Sequence, residues 1–415
     1  MTFEQRTASA QPVGSPAGGR YIQLVLVLGA LIALGPLTID MYLPAFPSIA
    51  TELDASDSAV QLTLTGMLGG LAFGQLVIGP LSDAFGRRKP LLIGVVTHAA
   101  ASVLCALAPN IYLLSGARIL QGFAGAAISV VAMAMVRDLF SGVAVARLMS
   151  RLMLVVGLAP ILAPSLGGLI LEVTTWRGIF GVLAAAAVVL TMVALLGIRE
   201  TLPPERRRPA DLRSTLGTYR SLLRDRTFVA LVFIGGLMLS AVFAYVAGSS
   251  FVLQNGYGLD ERTFGLVFGV NAIGLTLSSQ LNPAMIKRFS VLNVLSGATL
   301  VGLVAALWLL VSGVTGWWGL AGVLAPLALV VASCGLSLPN TPALALTRHG
   351  EAAGTAAAML GSVQFGVGAL IAPLVGLSGG SSAAPMAAVM VGVTLLASLL
   401  IFGVVRRDET ALSIG

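Results

Sequence analysis

Runs of apolar residues, broken by short clusters of charge, Gly and Pro, recur along this chain from about residue 21 to about residue 405. About 20 such residues suffice to cross a hydrocarbon core of about 30 Å. The runs predict twelve spans, near 21–46, 59–81, 90–108, 111–136, 146–171, 178–198, 228–251, 264–286, 291–311, 318–346, 352–377 and 384–405. The longest polar stretch, Arg199 to Arg226, falls between the sixth and seventh runs and holds Pro203-Pro204 and Arg206-Arg207-Arg208, the signals of a linker. The expected organisation is an all-α integral membrane protein. A disordered cytoplasmic tail (1–20) precedes a six-helix bundle (21–198), a cytoplasmic linker (199–226), a second six-helix bundle (227–405) and a short cytoplasmic tail (406–415). The first 20 residues lack the charged, apolar and cleavage-site order of a signal peptide.

Composition sharpens this reading. With 57% hydrophobic and 10% charged residues, against about 25% charged in soluble domains, and a mean hydropathy of +0.96, the chain has too little polar surface for a water-soluble fold. The net charge of +7 does not mark a nucleic-acid partner, because the basic residues sit in short connections rather than on one face of a soluble domain. If both termini are cytoplasmic, 21 of the 24 Lys and Arg fall on the cytoplasmic side, leaving Arg177 and Arg262 outside and Arg118 within a span. Cys105 and Cys334 lie far apart inside apolar runs, and the two histidines, His98 and His349, have no intramembrane carboxylate pairs beside them, so neither a disulfide framework nor a metal site is indicated. The two lysines, Lys89 and Lys287, lack any phosphate-loop context. No nucleotide or other cofactor is implied, so energy for work comes from a gradient or is absent.

The halves echo each other. Ala163-Pro164-Ser165-Leu166-Gly167 in the fifth span returns as Ala372-Pro373-Leu374-Val375-Gly376 in the eleventh, 209 positions later. The loop Gly79-Pro80-Leu81-Ser82-Asp83-Ala84-Phe85-Gly86-Arg87-Arg88-Lys89 has a worn counterpart from Asn282 to Arg288. This loop resembles the signature between helices 2 and 3 of the major facilitator superfamily, departing from it at Ala84, where a basic residue is common. The bland alternative is a topology-setting loop with helix-end glycines. In a gating role, Asp83 would face the positive end of the eleventh helix near 352–354, and the resemblance implies that Arg87 pairs with Asp138. Gly79, Gly86 and Arg88 complete the expected cytoplasmic gate.

Two charges are committed to the spans. Arg118, in Arg118-Ile119-Leu120-Gln121-Gly122, lies about eight residues inside the fourth span, roughly 12 Å deep at 1.5 Å per residue, where an arginine costs at least about 2.5 kcal/mol unless a cavity or partner receives it. It shares a helical face with Gly122, Gly125 and Ser129. Asp40, in Asp40-Met41-Tyr42-Leu43-Pro44 near the outer end of the first span, is the sole acidic residue within any span and lies at similar depth. It is read either as a static partner of Arg118 or helix cap, or as a titrating carboxylate whose proton affinity alternates with its pairing. His98 in the third span is the next carrier candidate, with structural burial as its plainer reading.

Gly157, Pro160, Pro164, Gly167 and Gly168 give the fifth span a small, kinked face similar to the antiporter motif of drug exporters, although Ala159 and Ala163 replace glycines there and simple close contact would use the same residues. Gly66, Gly70 and Gly74 make a comparable stripe on the second span. With Arg137-Asp138-Leu139-Phe140, Phe264-Gly265 and Asn271, these features make residues 21–405 similar to the Bcr/CflA (bicyclomycin and chloramphenicol resistance) subfamily of drug:proton antiporters. The resemblance implies a secondary transporter rather than an enzyme. It would be a functional monomer in a bacterial cytoplasmic membrane, exchanging protons for small lipophilic molecules by alternating access. Tyr42, Gln121, Phe243, Tyr245, Asn271, Gln364 and Phe365 are candidates to line the substrate cavity. The competing readings are an exporter of a metabolite or sugar, a proton symporter of the same fold, and a non-transporting scaffold, for which Asp40, Arg118 and the gate loop together would have little use.

Overall fold

The computed structural model describes residues 19–140, 143–207, 212–347, 349, 353–376 and 382–408. Tail residues 1–18 and 409–415, linker residues 208–211 and residues 350–352 before the eleventh span lie outside the described residues. In chain order the helices are α1 (Gly19–Asp40), α2 (Phe46–Glu52), α3 (Asp57–Phe85), α4 (Arg88–Ala106), α5 (Ile111–Leu139), α6 (Val143–Leu171) and α7 (Trp176–Gly197). A short linker helix, α8 (Leu212–Leu222), leads to α9 (Arg226–Ser250), α10 (Glu261–Arg288), α11 (Val291–Thr315), α12 (Gly319–Thr347), α13 (Ala353–Ile371) and α14 (Ala383–Leu400). Among the described residues, twelve segments are long and apolar enough to cross a membrane, and there is no strand.

Several starts follow from local chemistry. Asn110 accepts from the Leu113 N–H at 2.9 Å and Asp260 from that of Thr263 at 2.6 Å, each satisfying a donor that the first helical turn leaves unpaired. The first span runs on further than its apolar run predicts. α1 ends at Asp40, a turn of 3-10 helix covers Leu43–Ala45, and α2 continues to Glu52. Pro44 and Pro47 sit in the first positions of these new helical segments, where a missing N–H costs nothing. The helix α8 inside the linker was not anticipated, because eleven mixed polar residues give no span-length signal.

Small residues decide how closely helices approach. A methyl group on Gly70 of α3 would collide with the Ile119 carbonyl of α5, and one on Gly122 of α5 with the Met67 carbonyl of α3. The neighbours recur in order. α3 packs on α5, α4 on α5 and α7, and α1 on α6, while α10 packs on α12, α11 on α12 and α14, and α9 on α13. The two sets meet where α3 packs on α13 and α6 on α10.

One end of this bundle is shut. Across it, the Ser58 hydroxyl donates to the Gly376 carbonyl at 2.5 Å, Ser250 to Leu43 at 2.8 Å and the Gln254 amide to Pro44 at 3.0 Å. The Phe46 and Phe251 rings fill the gap with centroids 5.8 Å apart. Beside them Glu52 accepts from the Trp176 indole at 2.6 Å and pairs with Arg177.

Candidate functional site

A cavity of about 1450 Å³ runs from this shut end to the opposite, basic end. Its deep wall includes Asp40 from α1, Gln75 from α3, Ser129 from α5, Phe243 and Tyr245 from α9, Phe268 from α10 and Phe365 from α13. Its mouth is bordered by Asp83, Arg87, Arg137, Asp138, Tyr219, Gly354 and Thr355. Asp40 is only 6% exposed, and among the described residues its carboxylate has neither an ion-pair nor a hydrogen-bond partner. A buried polar group without a partner carries a desolvation cost, which a cavity able to admit water, a proton or a ligand relieves.

Arg118 does not serve Asp40. Its guanidinium is fully buried, donates to the Thr38 carbonyl at 3.2 Å and to Gln121 Oε1 at 2.5 Å, and lies 4.2 Å from the centroid of the Tyr42 ring. Gln121 donates onward to the Ser102 hydroxyl at 2.8 Å, and His98 Nε2 meets Thr38 Oγ1 at 3.0 Å. The Thr38 hydroxyl donates to the Leu34 carbonyl at 2.6 Å, so it accepts from His98, which fixes the proton on Nε2. Thr38 and Asp40 stand about 200° apart around a helix of 3.6 residues per turn. The arginine and histidine therefore grip one side of α1 while Asp40 leaves the other. The static Asp40–Arg118 pair, one of the sequence readings, is absent from this conformation, and so is a cap made by the Asp40 side chain. Nε and Nη2 of Arg118 have no hydrogen-bond partner. Here the aromatic faces of Tyr42 and Phe180 take the place of an anion.

The expected cavity residues divide accordingly. Phe243, Tyr245 and Phe365 line the cavity. Tyr42 is fully buried, bonded to Thr63 at 3.0 Å and stacked on Arg118, and Gln121 is spent on the same cation. Neither reaches the cavity. Asn271 stands behind Tyr245, and Gln364 points at Gly235 on α9.

At the basic end Arg87 makes the Asp138 pair that the resemblance implies, and two further contacts. Its Nε donates to Asp138 at 2.9 Å, while Nη1 contacts Asp83 at 2.6 Å and Ser82 at 2.6 Å. Burial alone would favour the neutral guanidine, but the Asp138 and Asp83 carboxylates outweigh it and hold the Arg87 pKa above its ordinary value. Asp83 thus faces Arg87 rather than the start of α13, which stands across the open mouth at Gly354. Gly86 turns the chain with φ +89°, and Gly79 has open space beside it. The Arg88 side chain donates to the Leu195 carbonyl at 2.8 Å.

Sequence reasoning overlooked Glu200. Its carboxylate accepts from the backbone N–H groups of Arg87 at 2.7 Å, Arg88 at 3.2 Å, Thr201 at 3.1 Å and Leu202 at 3.0 Å, so that the end of α7 caps the start of α4. Partial burial raises its pKa, and the four backbone donors more than reverse this, leaving Glu200 below the usual glutamate value. The one available signal was a carboxylate placed directly after a predicted span.

The small face of α6 meets two partners. Gly157 accepts from Thr276 at 3.4 Å, Gly168 lies against the Glu261 backbone, and the Pro164–Ser165 backbone leaves room only for Gly265, all on α10. Gly167 turns instead to the Met41 carbonyl beside Asp40, and Pro160 borders the cavity.

Comparison with known proteins agrees with this architecture. Residues 27–373 match the Major Facilitator Superfamily. An uncharacterised MFS-type transporter of Bacillus subtilis (strain 168), YdgK, is 39% identical over 400 residues, covering 95% of this chain and 98% of its own. A bicyclomycin resistance protein homologue of Haemophilus influenzae is 33% identical, with 92% and 96% coverage, and the multidrug resistance protein MdtL of Salmonella paratyphi C is 29% identical, with 92% and 95% coverage. These relatives fit the Bcr/CflA subfamily. Among solved structures, a D-xylose–proton symporter superposes with a TM-score of 0.70 at 16% identity, covering 91% of this chain and 97% of its own. An inward-facing bacterial homologue of the lysosomal transporter Spinster gives 0.72 at 16%, covering 93% and 97%. At such identities these two carry the fold alone.

Proposed function

The chain belongs to the Major Facilitator Superfamily, a multi-pass membrane transporter, and from that premise we propose that it exports small lipophilic compounds in exchange for protons. The observation that carries this reading is the cavity itself. An unpaired carboxylate, Asp40, stands at its blind end among Phe243, Tyr245, Phe268 and Phe365, and the other end opens past the gate loop. Apolar walls with few fixed charges suit lipophilic molecules. A carboxylate open to the cavity can take up a proton when substrate leaves and give it back when the next one arrives.

In this reading the basic end faces the bacterial cytoplasm, as the placement of Lys and Arg implies, with both termini inside and the two halves rocking about the cavity. The conformation is then the one open to the cytoplasm. Asp83, Arg87 and Asp138 with Gly79, Gly86 and Arg88 form the gate that must close against α13, and the small face of α6 forms the seam that lets α10 move along it. Arg118 and His98 set the direction of Asp40 by holding Thr38. The names of the bicyclomycin-resistance and multidrug-resistance relatives support the export of drugs.

The test joins transport to proton movement. A susceptibility panel in a pump-deficient host, with and without the protein, identifies an exported compound. The purified protein should then release protons on adding that compound near neutral pH. Asp40→Asn should abolish both resistance and proton release with the protein still inserted, while Asp40→Glu keeps part of each. Proton release by Asp40→Asn equal to that of the parent would place the coupling group elsewhere.

A further inference from the structure

A proton on Asp40 moves the bundle only if the opposite half registers it, and the cavity holds a side chain built for that. Tyr245, on α9, lines the same cavity as Asp40, on α1. The ring is fixed by stacking on Phe268, with centroids 4.8 Å apart and planes 17° apart. Asn271 Nδ2 reaches the hydroxyl oxygen at 3.2 Å and the Val267 carbonyl at 3.2 Å. A carbonyl only accepts, so the second bond shows that the amide nitrogen, not its oxygen, faces the tyrosine. The hydroxyl is therefore the acceptor of the first bond, and its own proton is free to be given away. Keeping this arrangement leaves Asn271 Oδ1 buried without a partner, a cost that simple filling of space would not require.

We infer that Tyr245 senses the charge of Asp40 for the second half. Its hydroxyl donates across the cavity to the ionised carboxylate through bridging water, and that link weakens when Asp40 takes a proton, with Asn271 holding the hydroxyl as a donor. Hydrogen bonds to an ionised acceptor are roughly twice as strong as neutral ones, so the link between α1 and α9 is tight in one protonation state and loose in the other. The other charged groups around Asp40 do not compete for this role. Arg118 from α5 and His98 from α4 end on Thr38, at the back of α1. Arg177 of α7 is bound to Glu52, α6 brings Pro160, Ala163 and Gly167 to this depth, and Asp83, Arg87, Arg137 and Asp138 lie at the far end, at the mouth. The inference rests on the reading of Asp40 as the coupling group.

The experiment is an infrared pH titration of the protonated-carboxyl band, on the purified full chain in phosphatidylethanolamine and phosphatidylglycerol vesicles. Asp40→Asn assigns the band by removing it. Tyr245→Phe keeps the stacked ring and removes only the hydroxyl. It should make the carboxyl bind its proton about tenfold more tightly, a midpoint about one pH unit higher. Asn271→Leu should move the midpoint the same way by less, and the double variant no further than Tyr245→Phe alone. If Tyr245→Phe does not fold, Asn271→Leu bears the test. A midpoint unchanged from the parent in the folded variants overturns the sensor while leaving proton coupling through Asp40 standing. A titrating band that survives Asp40→Asn overturns both.

Discussion

The two halves of the bundle carry different chemistry at their basic ends. In the first, Arg87 draws in Asp83, Asp138 and Ser82, and Glu200 clasps the turn that carries it. In the second, Met285, Ile286 and Ser290 stand 203 positions after Ser82, Asp83 and Arg87, and the polar contact near this end of α10 and α12 comes from Asn282 and Asn340. These two amides simply bond each other, at 3.1 and 2.8 Å, while buried between α10 and α12. The fold repeats, but the ion pairs of this loop do not. Ion pairs at a wet mouth respond to water, salt and separation, whereas a buried amide pair does not.

The contrast is broken most severely at Arg87. Arg87→Ala leaves Asp138 beneath the loop without its cation and should cost about 3 kcal/mol, read as a fall in the thermal midpoint of the purified protein. Asp83→Asn, at a carboxylate half exposed to solvent, should cost under about 1 kcal/mol and still impair transport. Equal losses from the two substitutions would mean that the loop works as a rigid brace.

The amide pair gives the next effect. Asn340→Leu orphans the Asn282 amide and should cost about 1 to 2 kcal/mol, whereas the double change to leucine recovers most of that. A double variant as unstable as the sum of its parts would show that the amides hold something beyond each other.

Glu200 gives a smaller effect than the amide pair. Removing its charge as Glu200→Gln weakens the cap on α4 by about 1 kcal/mol. Because its pKa is lowered in the folded protein, its contribution is complete above the ordinary glutamate range and fades as pH falls through the lowered value. Parent and variant should therefore converge in thermal midpoint on acidification and separate toward neutral pH. A gap that widens in acid would reverse the assignment.

Hydropathy and the side taken by Lys and Arg made the twelve spans legible, because apolar run length and cation placement are what the bilayer itself reads. Chain ends of spans were less legible. Pro44 and Pro47 look like terminators, yet each opens a new helical segment. The Arg87–Asp138 pair was legible through the resemblance of the loop, whereas Asp83 was expected at the eleventh helix and meets Arg87 instead. Glu200 was hidden, because nothing local says that a carboxylate after α7 will meet the N–H groups of α4. Depth placed Asp40 and Arg118 at one level, but only the angle around α1 separates them. Tyr42 and Gln121 show the same limit, since aromatic and amide side chains look alike in sequence whether they face a cavity or serve a buried cation.

At the shut end, every bond joining the halves through Ser58, Ser250 and Gln254 ends on a main-chain carbonyl. The acceptors thus survive any substitution that keeps the local fold, and inheritance can act only on the donors. At about 1 kcal/mol each, the three bonds together weight the two states by about a hundredfold. In the proposed cycle, losing one donor should shorten the lifetime of the shut end about fivefold without altering the cavity. The pace of the cycle and the choice of cargo are therefore written at separate positions of the chain, and lineages of this protein are free to retune one while keeping the other.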